Sequence, residues 1–250
     1  MSAYGDFAAF YDALMQEDYA ARADYLLAVF ARFGTSPRLL LDLMCGTGSL
    51  SVELARRGVE VIGVDGSQDM LAHAGQKAAQ AGLAPLFLCQ DAQELDLYGT
   101  VDSAVCTLDS LNHLTSFGAL CRALERVSLF LEPDGLFLFD VNTPYKHREI
   151  LAGQTFVLET QAVFCVWQNE YEPEHDLIHI ALDFFADNGQ SYDRYSEEFT
   201  ERAYTSEELA RALKSAGLET LAVFEDLRFS PPEPNCERAL YVARKPAASV

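Results

Sequence analysis

Residues 39–51 read LLLDLMCGTGSLS, and no other stretch limits the possible folds of this chain as tightly. Leucines interrupted only by Asp42 predict a short buried strand, and the glycines behind them predict its exit loop. From Leu50 the period becomes helical, with Leu50 and Leu54 on one face, and Gly58 stands where such a helix stops. Strand, glycine turn and helix, in that order, open a nucleotide-binding βαβ unit.

Two features separate the nucleotides such a unit could take. A dinucleotide fingerprint, G-x-G-x-x-G, brings the backbone and a helix N-terminus up against a pyrophosphate. Gly46 and Gly48 supply the first pair here, but the third position is Ser51. Asp42 places a carboxylate beside the loop, where it repels a pyrophosphate and attracts an ammonium group, directly or through water. S-adenosylmethionine is a ligand of that kind: an adenosine with no phosphate, carrying an amino acid and a sulfonium.

On these residues the stretch resembles motif I of the class I S-adenosylmethionine-dependent methyltransferases, commonly D-x-G-x-G-x-G. Asp42, Gly46 and Gly48 match, while Met44 replaces the first glycine, and methionine tolerates a positive φ poorly. The resemblance implies cofactor contacts from Asp42, Cys45, Gly46 and Gly48.

The rest of the expected site follows along the chain. Asp65 ends the β-branched run 59–65, about where a Rossmann-type carboxylate meets the ribose, and its two oxygens match two vicinal hydroxyls. Gly66, next to it, is a further expected cofactor contact, and Ser67 is the expected N-cap of a helix over 68–81. By resemblance, Met70 lies against adenine, Asp91 accepts from the adenine amino group, and Ala92 offers its backbone N–H to the ring. Strand four, 101–108, leads into a loop at the ligand crevice of a doubly wound sheet. Asp109, Asn112 and His113 are its polar groups, and Thr107 and Leu108 are expected to offer backbone groups to the methionine end. His113 is both a cofactor-shell and a catalytic candidate.

Residues 4–15 place Tyr4, Phe7, Tyr11 and Leu14 on one helical face. Packing of an N-terminal helix explains that spacing. Related methyltransferases carry Y-x-x-F-A-x-x-Y-D here as a lid, matched by Tyr4, Phe7, Ala8, Tyr11 and Asp12. The resemblance makes Tyr4 and Tyr11 cofactor contacts, and Tyr11 a second catalytic candidate.

Composition narrows the partners. With 18 basic against 38 acidic residues the net charge is −20, and no basic footprint for nucleic acid stands out. No apolar run is long enough for a membrane span, and the start lacks a basic n-region with an apolar h-region. The six cysteines are scattered without a C-x-x-C, which points to reduced thiols and no metal site.

From about residue 155 the period changes to two. Runs over 155–169, 177–187 and 191–202, with a type I′ turn at Asn188-Gly189, predict an antiparallel sheet. Its aromatic and basic residues Trp167, Tyr171, Tyr192, Arg194, Tyr195 and Phe199 either contact substrate or pack the sheet. A capping box, Thr205 with Glu208, then opens a helix, and runs at 221–225 and 238–244 complete an edge hairpin.

The expected fold is α/β: a doubly wound, seven-stranded Rossmann-like methyltransferase sheet from residues 1–145 and 203–250. A small antiparallel β insertion, 146–202, covers the substrate site. The expected reaction is in-line methyl transfer from S-adenosylmethionine to nitrogen or oxygen of a small-molecule acceptor, where positioning supplies much of the acceleration. The expected setting is cytoplasmic, as a monomer or homodimer, with no nucleic acid and no membrane. Two readings compete: a protein that binds S-adenosylmethionine without transferring its methyl, and an NAD-dependent oxidoreductase. The second should lack Asp42 and carry glycine near Ser51.

Overall fold

The computed structural model describes residues 8, 10, 12, 14, 17–161 and 163–247. Tyr4, Phe7 and Tyr11, expected in a lid, lie outside them. Seven strands form one sheet in the order β10-β11-β5-β4-β1-β2-β3. They are β1 (Leu39–Leu43), β2 (Glu60–Asp65), β3 (Leu86–Cys89), β4 (Val101–Cys106), β5 (Leu131–Asn142), β10 (Glu219–Glu225) and β11 (Arg238–Arg244). The first five run parallel, and β11 is antiparallel to both β5 and β10. The sheet is the seven-stranded, doubly wound one expected.

Helices cover both faces, so the central strands are apolar on both sides. On one face α1 (Tyr19–Arg32) and α2 (Ser49–Arg56) bury Leu26, Phe30, Leu50 and Leu54 against Leu40, Val105 and Leu138. The other face takes α4 (Phe117–Phe130) and α5 (Ser206–Ser215), whose Leu120, Leu124, Leu209 and Leu213 pack on Leu41, Phe137 and Phe139. α3 (Gln68–Gln80) follows β2 and is capped by Ser67, as expected. The capping box of Thr205 and Glu208 is formed in full. No helix among the described residues is long and apolar enough to cross a membrane, and all six cysteines are free.

Between β5 and α5 the chain builds a second sheet, β6-β7-β8-β9, wholly antiparallel. Its strands are β6 (Thr155–Glu159), β7 (Val163–Glu172), β8 (Leu177–Asp187) and β9 (Tyr192–Arg202). Cys165, Ile178, Ile180 and Phe184 bury one face together with Met70, Leu151 and Leu14.

Two local expectations need correction. The run 155–169 is two strands, not one; Thr160 turns the chain through hydrogen bonds with Val163, without the glycine or proline that announces most turns. The β8–β9 connection is a four-residue loop in which Asn188 is not left-handed. The Asn188 side chain instead accepts from the N–H groups of Gln190 and Ser191. Residues 132–135 form an excursion inside β5, with the pairing to β4 slipping from Val101↔Leu131 to Ser103↔Leu136. Only glycine fits at its end, since a Cβ on Gly135 would stand 2.8 Å from the Glu132 carbonyl.

Candidate active site

The carboxyl ends of the parallel strands open into a cavity of about 1290 Å³. Gly46 after β1, Asp65 and Gly66 after β2, Met70 on α3, Asp91 and Ala92 after β3, and Leu108 and His113 after β4 all border it. The opposite wall comes from the antiparallel sheet, through Trp167, Ile180, Phe199 and Glu201.

Asp65 holds the first loop together. Its Oδ2 accepts from the Gly46 N–H and its Oδ1 from the Ser67 N–H, both at 2.8 Å. Each oxygen keeps a lone pair for a further donor. Burial pushes the pKa of this carboxyl up, against the pull of those two N–H groups. Asp91 caps the short helical turn Ala92–Glu94 by accepting the Gln93 N–H at 2.7 Å.

Asp42 stands apart from the main cavity. It is buried and borders a side recess of about 40 Å³, shared with Cys45, Gly46, Thr107 and Leu108. That is room for one ordered water or a small polar group. Ser51 donates its hydroxyl to Asp42 at 2.5 Å, so the residue in the third fingerprint position serves the carboxylate. Burial pushes the Asp42 pKa up to about 7; the Ser51 bond opposes this and the nearby Asp65 charge adds to it.

Gly48 reaches neither space. It sits at φ 70° as the N-cap of α2, and a Cβ there would meet Ala74 Cβ at 2.6 Å. Its lack of a side chain lets α2 and α3 approach. Met44, in the place of the family's first glycine, does adopt the left-handed region, at φ 56°.

The loop after β4 is held from behind. Leu108 and Asp109 are both left-handed, at φ 58° and 56°, and strained backbone of this kind persists only where surroundings fix it. Their N–H groups point at Asp140, a fully buried residue of β5, at 2.9 and 2.7 Å. Arg22 of α1 and Arg238 of β11 flank that carboxylate at 3.5 and 3.8 Å. Arg22 also forks onto Asp226, and Arg238 donates to Asp109 at 2.8 Å. Burial opposes ionisation of Asp109, but the charges of Arg238, Lys146 and His113 outweigh it and hold its pKa below the ordinary value. The Leu108 N–H is therefore taken by Asp140, and the Thr107 carbonyl accepts the Ser110 hydroxyl at 2.8 Å.

Other expected residues fall outside the cavity. Asn112 is fully buried: its amide bonds the carbonyls of Asn142 and Arg202 and accepts the Asn142 N–H, clamping the end of β9 onto β5. Of the six aromatic and basic candidates on the antiparallel sheet, only Trp167 and Phe199 border the cavity. Tyr171 and Arg148 engage Asp176, Arg194 pairs with Asp183, Tyr195 meets Phe10 in a tilted ring contact, and Tyr192 is exposed. In the N-terminal segment Ala8 is buried in the cluster of Met70 and Leu151. Asp12 accepts from the Thr47 and Ser49 hydroxyls and pairs with Lys77.

The comparisons with known proteins agree with this geometry. Residues 40–135 match the model of a methyltransferase domain. YqeM of Bacillus subtilis (strain 168), whose name carries a methyltransferase assignment, is 34% identical over 245 residues, 97% of either chain. The dTDP-3-amino-3,6-dideoxy-alpha-D-glucopyranose N,N-dimethyltransferase of Streptomyces fradiae is 29% identical over 86% of this chain and 84% of its own length. Among solved structures, an S-adenosylmethionine-dependent methyltransferase from Clostridium acetobutylicum ATCC 824 superposes with a TM-score of 0.89 at 32% identity. That match covers 98% of this chain and 99% of the other. The chain therefore belongs to the S-adenosylmethionine-dependent methyltransferases, enzymes whose cofactor is S-adenosylmethionine.

Proposed function

We propose that this enzyme moves the methyl group to nitrogen or oxygen of a small molecule held between the strand ends and the antiparallel sheet. One observation carries this reading: a single cavity is walled on one side by the β1–β4 loops and on the other by Trp167, Ile180, Phe199 and Glu201. The donor set fits the cofactor. Asp65 has acceptor capacity left for a ribose diol, Met70 offers an apolar surface, and Asp91 stands at the next strand end. Asp42, behind its recess, supplies negative charge toward an ammonium group.

In this arrangement S-adenosylmethionine supplies the electrophilic methyl, and the chain's residues bind, orient and exclude water. Positioning of this kind accounts for up to roughly 7–11 kcal/mol of a barrier. The amino-sugar specificity named for the Streptomyces fradiae relative supports a nitrogen acceptor. The antiparallel sheet, residues 146–202, acts as the acceptor cover.

Isothermal titration of S-adenosylmethionine, its demethylated product and NAD⁺ tests the cofactor side. Binding of the first two without the third is expected. Transfer of tritiated methyl onto a panel of small amines and alcohols tests the acceptor side, and label found only on macromolecules would sink the small-molecule reading.

A further inference from the structure

We infer that Glu201 forms an ammonium-binding subsite, so that the acceptor enters as a cationic amine and gives up one N–H proton to solvent before its nitrogen lone pair takes the methyl. This rests on the small-molecule reading above and specifies the chemistry of its acceptor. The inward face of β9 carries Tyr195, Glu197, Phe199 and Glu201; Tyr195 and Phe199 pack on the apolar cluster beneath the sheet, and of the four only Glu201 is buried. A strand packed on an apolar core calls for another apolar residue at that position. Glu201 is instead a carboxylate, 4% exposed, at the wall of the cavity.

The carboxylate is poorly compensated. Asn142 gives it one amide hydrogen bond, at 3.3 Å. His147 Nε2 stands 3.4 Å from it and His113 Nε2 3.9 Å, on the opposite oxygen. His147 is fully buried, and neither of its ring nitrogens has a hydrogen-bond partner among the described residues. The cations next in sequence to His147 and to Glu201 are turned elsewhere: Lys146 donates to the Asn142 side-chain oxygen, and Arg202 pairs with Glu208. A buried carboxylate beside a buried, unsatisfied imidazole is expensive unless a ligand completes the set.

The cavity favours the same class of ligand. Carboxylates outnumber cations along its wall, and the two most buried cations, Arg22 and Arg238, are already committed to Asp226, Asp140 and Asp109. A protonated amine gains from that field, and a phosphate ester loses.

The test uses the full-length protein saturated with the demethylated cofactor product, titrated with cyclohexylamine, cyclohexanol and cyclohexyl phosphate. The amine is expected to bind at least tenfold more tightly than the alcohol, with the phosphate weakest. Glu201→Gln should remove the amine's advantage while leaving affinity for the cofactor product unchanged, which also shows that the variant is folded. Glu201→Asp, which keeps the charge, should restore part of it. Equal binding of amine and alcohol by the wild type, or an undiminished advantage in Glu201→Gln, would overturn the subsite, and the wild-type comparison decides even if the variant fails to fold. Failure of the cofactor product itself to bind would instead count against the underlying functional reading.

Discussion

Leu108 donates its backbone N–H to Asp140 at 2.9 Å, and this bond joins the most strained loop of the cavity to the centre of the sheet. Asp140 sits between two arginines from the two ends of the chain, Arg22 and Arg238. Removing it leaves two left-handed residues unsupported and buried positive charge uncompensated. Asp140→Ala should cost about 3–5 kcal/mol of stability, the range for breaking a buried ion pair. Urea unfolding followed by circular dichroism measures this, and a loss under about 1 kcal/mol would mean the loop is held by something else.

Asp42, in the role proposed for it, should make cofactor affinity depend on pH. Its carboxyl is pushed up to about 7 by burial, so a growing fraction is neutral as pH falls below 7. Only the anion attracts an ammonium group, and binding that group draws the pKa down and releases a proton. Affinity for S-adenosylmethionine should therefore rise between pH 6 and 8 and level off above, by at most tenfold per pH unit. Asp42→Asn should flatten the curve, as read by titration calorimetry at several pH values.

Asp65→Ala removes the acceptor proposed for the ribose and also frees the Gly46 and Ser67 N–H groups. Affinity for the cofactor should fall by about 1–3 kcal/mol. An unchanged dissociation constant would remove Asp65 from the cofactor's shell.

The two motif glycines should respond differently to alanine. Both are left-handed, so each substitution carries backbone strain of about 1–2 kcal/mol. At Gly46 nothing lies within 4 Å of the new methyl, whereas at Gly48 it meets Ala74 at 2.6 Å. Gly48→Ala should therefore lose about 1–3 kcal/mol more in thermal unfolding than Gly46→Ala, while Gly46→Ala, at the cavity, carries the larger loss of cofactor affinity.

Asn112→Ala opens the clamp between β9 and β5. It strands the Asn142 N–H and the Arg202 carbonyl, at about 1–3 kcal/mol for each buried group left unpaired. Faster amide exchange through residues 177–202, with the parallel strands unaffected, is the expected signature.

Much of this was legible from local signals. Asp42, the glycine turn, Asp65 and the period-two runs each announce an element through spacing alone, and the structure forms them, apart from the run 155–169, which it splits into β6 and β7. Turns without glycine or proline, such as the one at Thr160, carried no such signal. The side chains that surround the cavity from far away in the chain were the least visible. Arg22 lies on the buried face of α1 between Tyr19 and Leu26, and Asp140 interrupts the apolar run of β5; each is a charge where the pattern calls for a hydrophobe. That mismatch was the available clue, but the pairing of residues 118 positions apart depends on strand order. Asn112 shows the converse. Its place in a polar loop suggested a mouth residue, and the clamp became apparent only once β9 was brought beside β5.

The order of strands also has a kinetic meaning. β11, eleventh in the chain, lies between β5 and β10 and pairs with both. Until it inserts, β5 presents an open hydrogen-bonding edge, β10 has no neighbour in the sheet, and Arg238 is absent from Asp140. Closing such long-range pairs is slow, because chain entropy is lost before the contacts form. The part of the ligand cavity that Arg238 supports therefore depends on this long-range pairing, and the unpaired edge of β5 is where a chain that has not yet made it is most exposed to self-association.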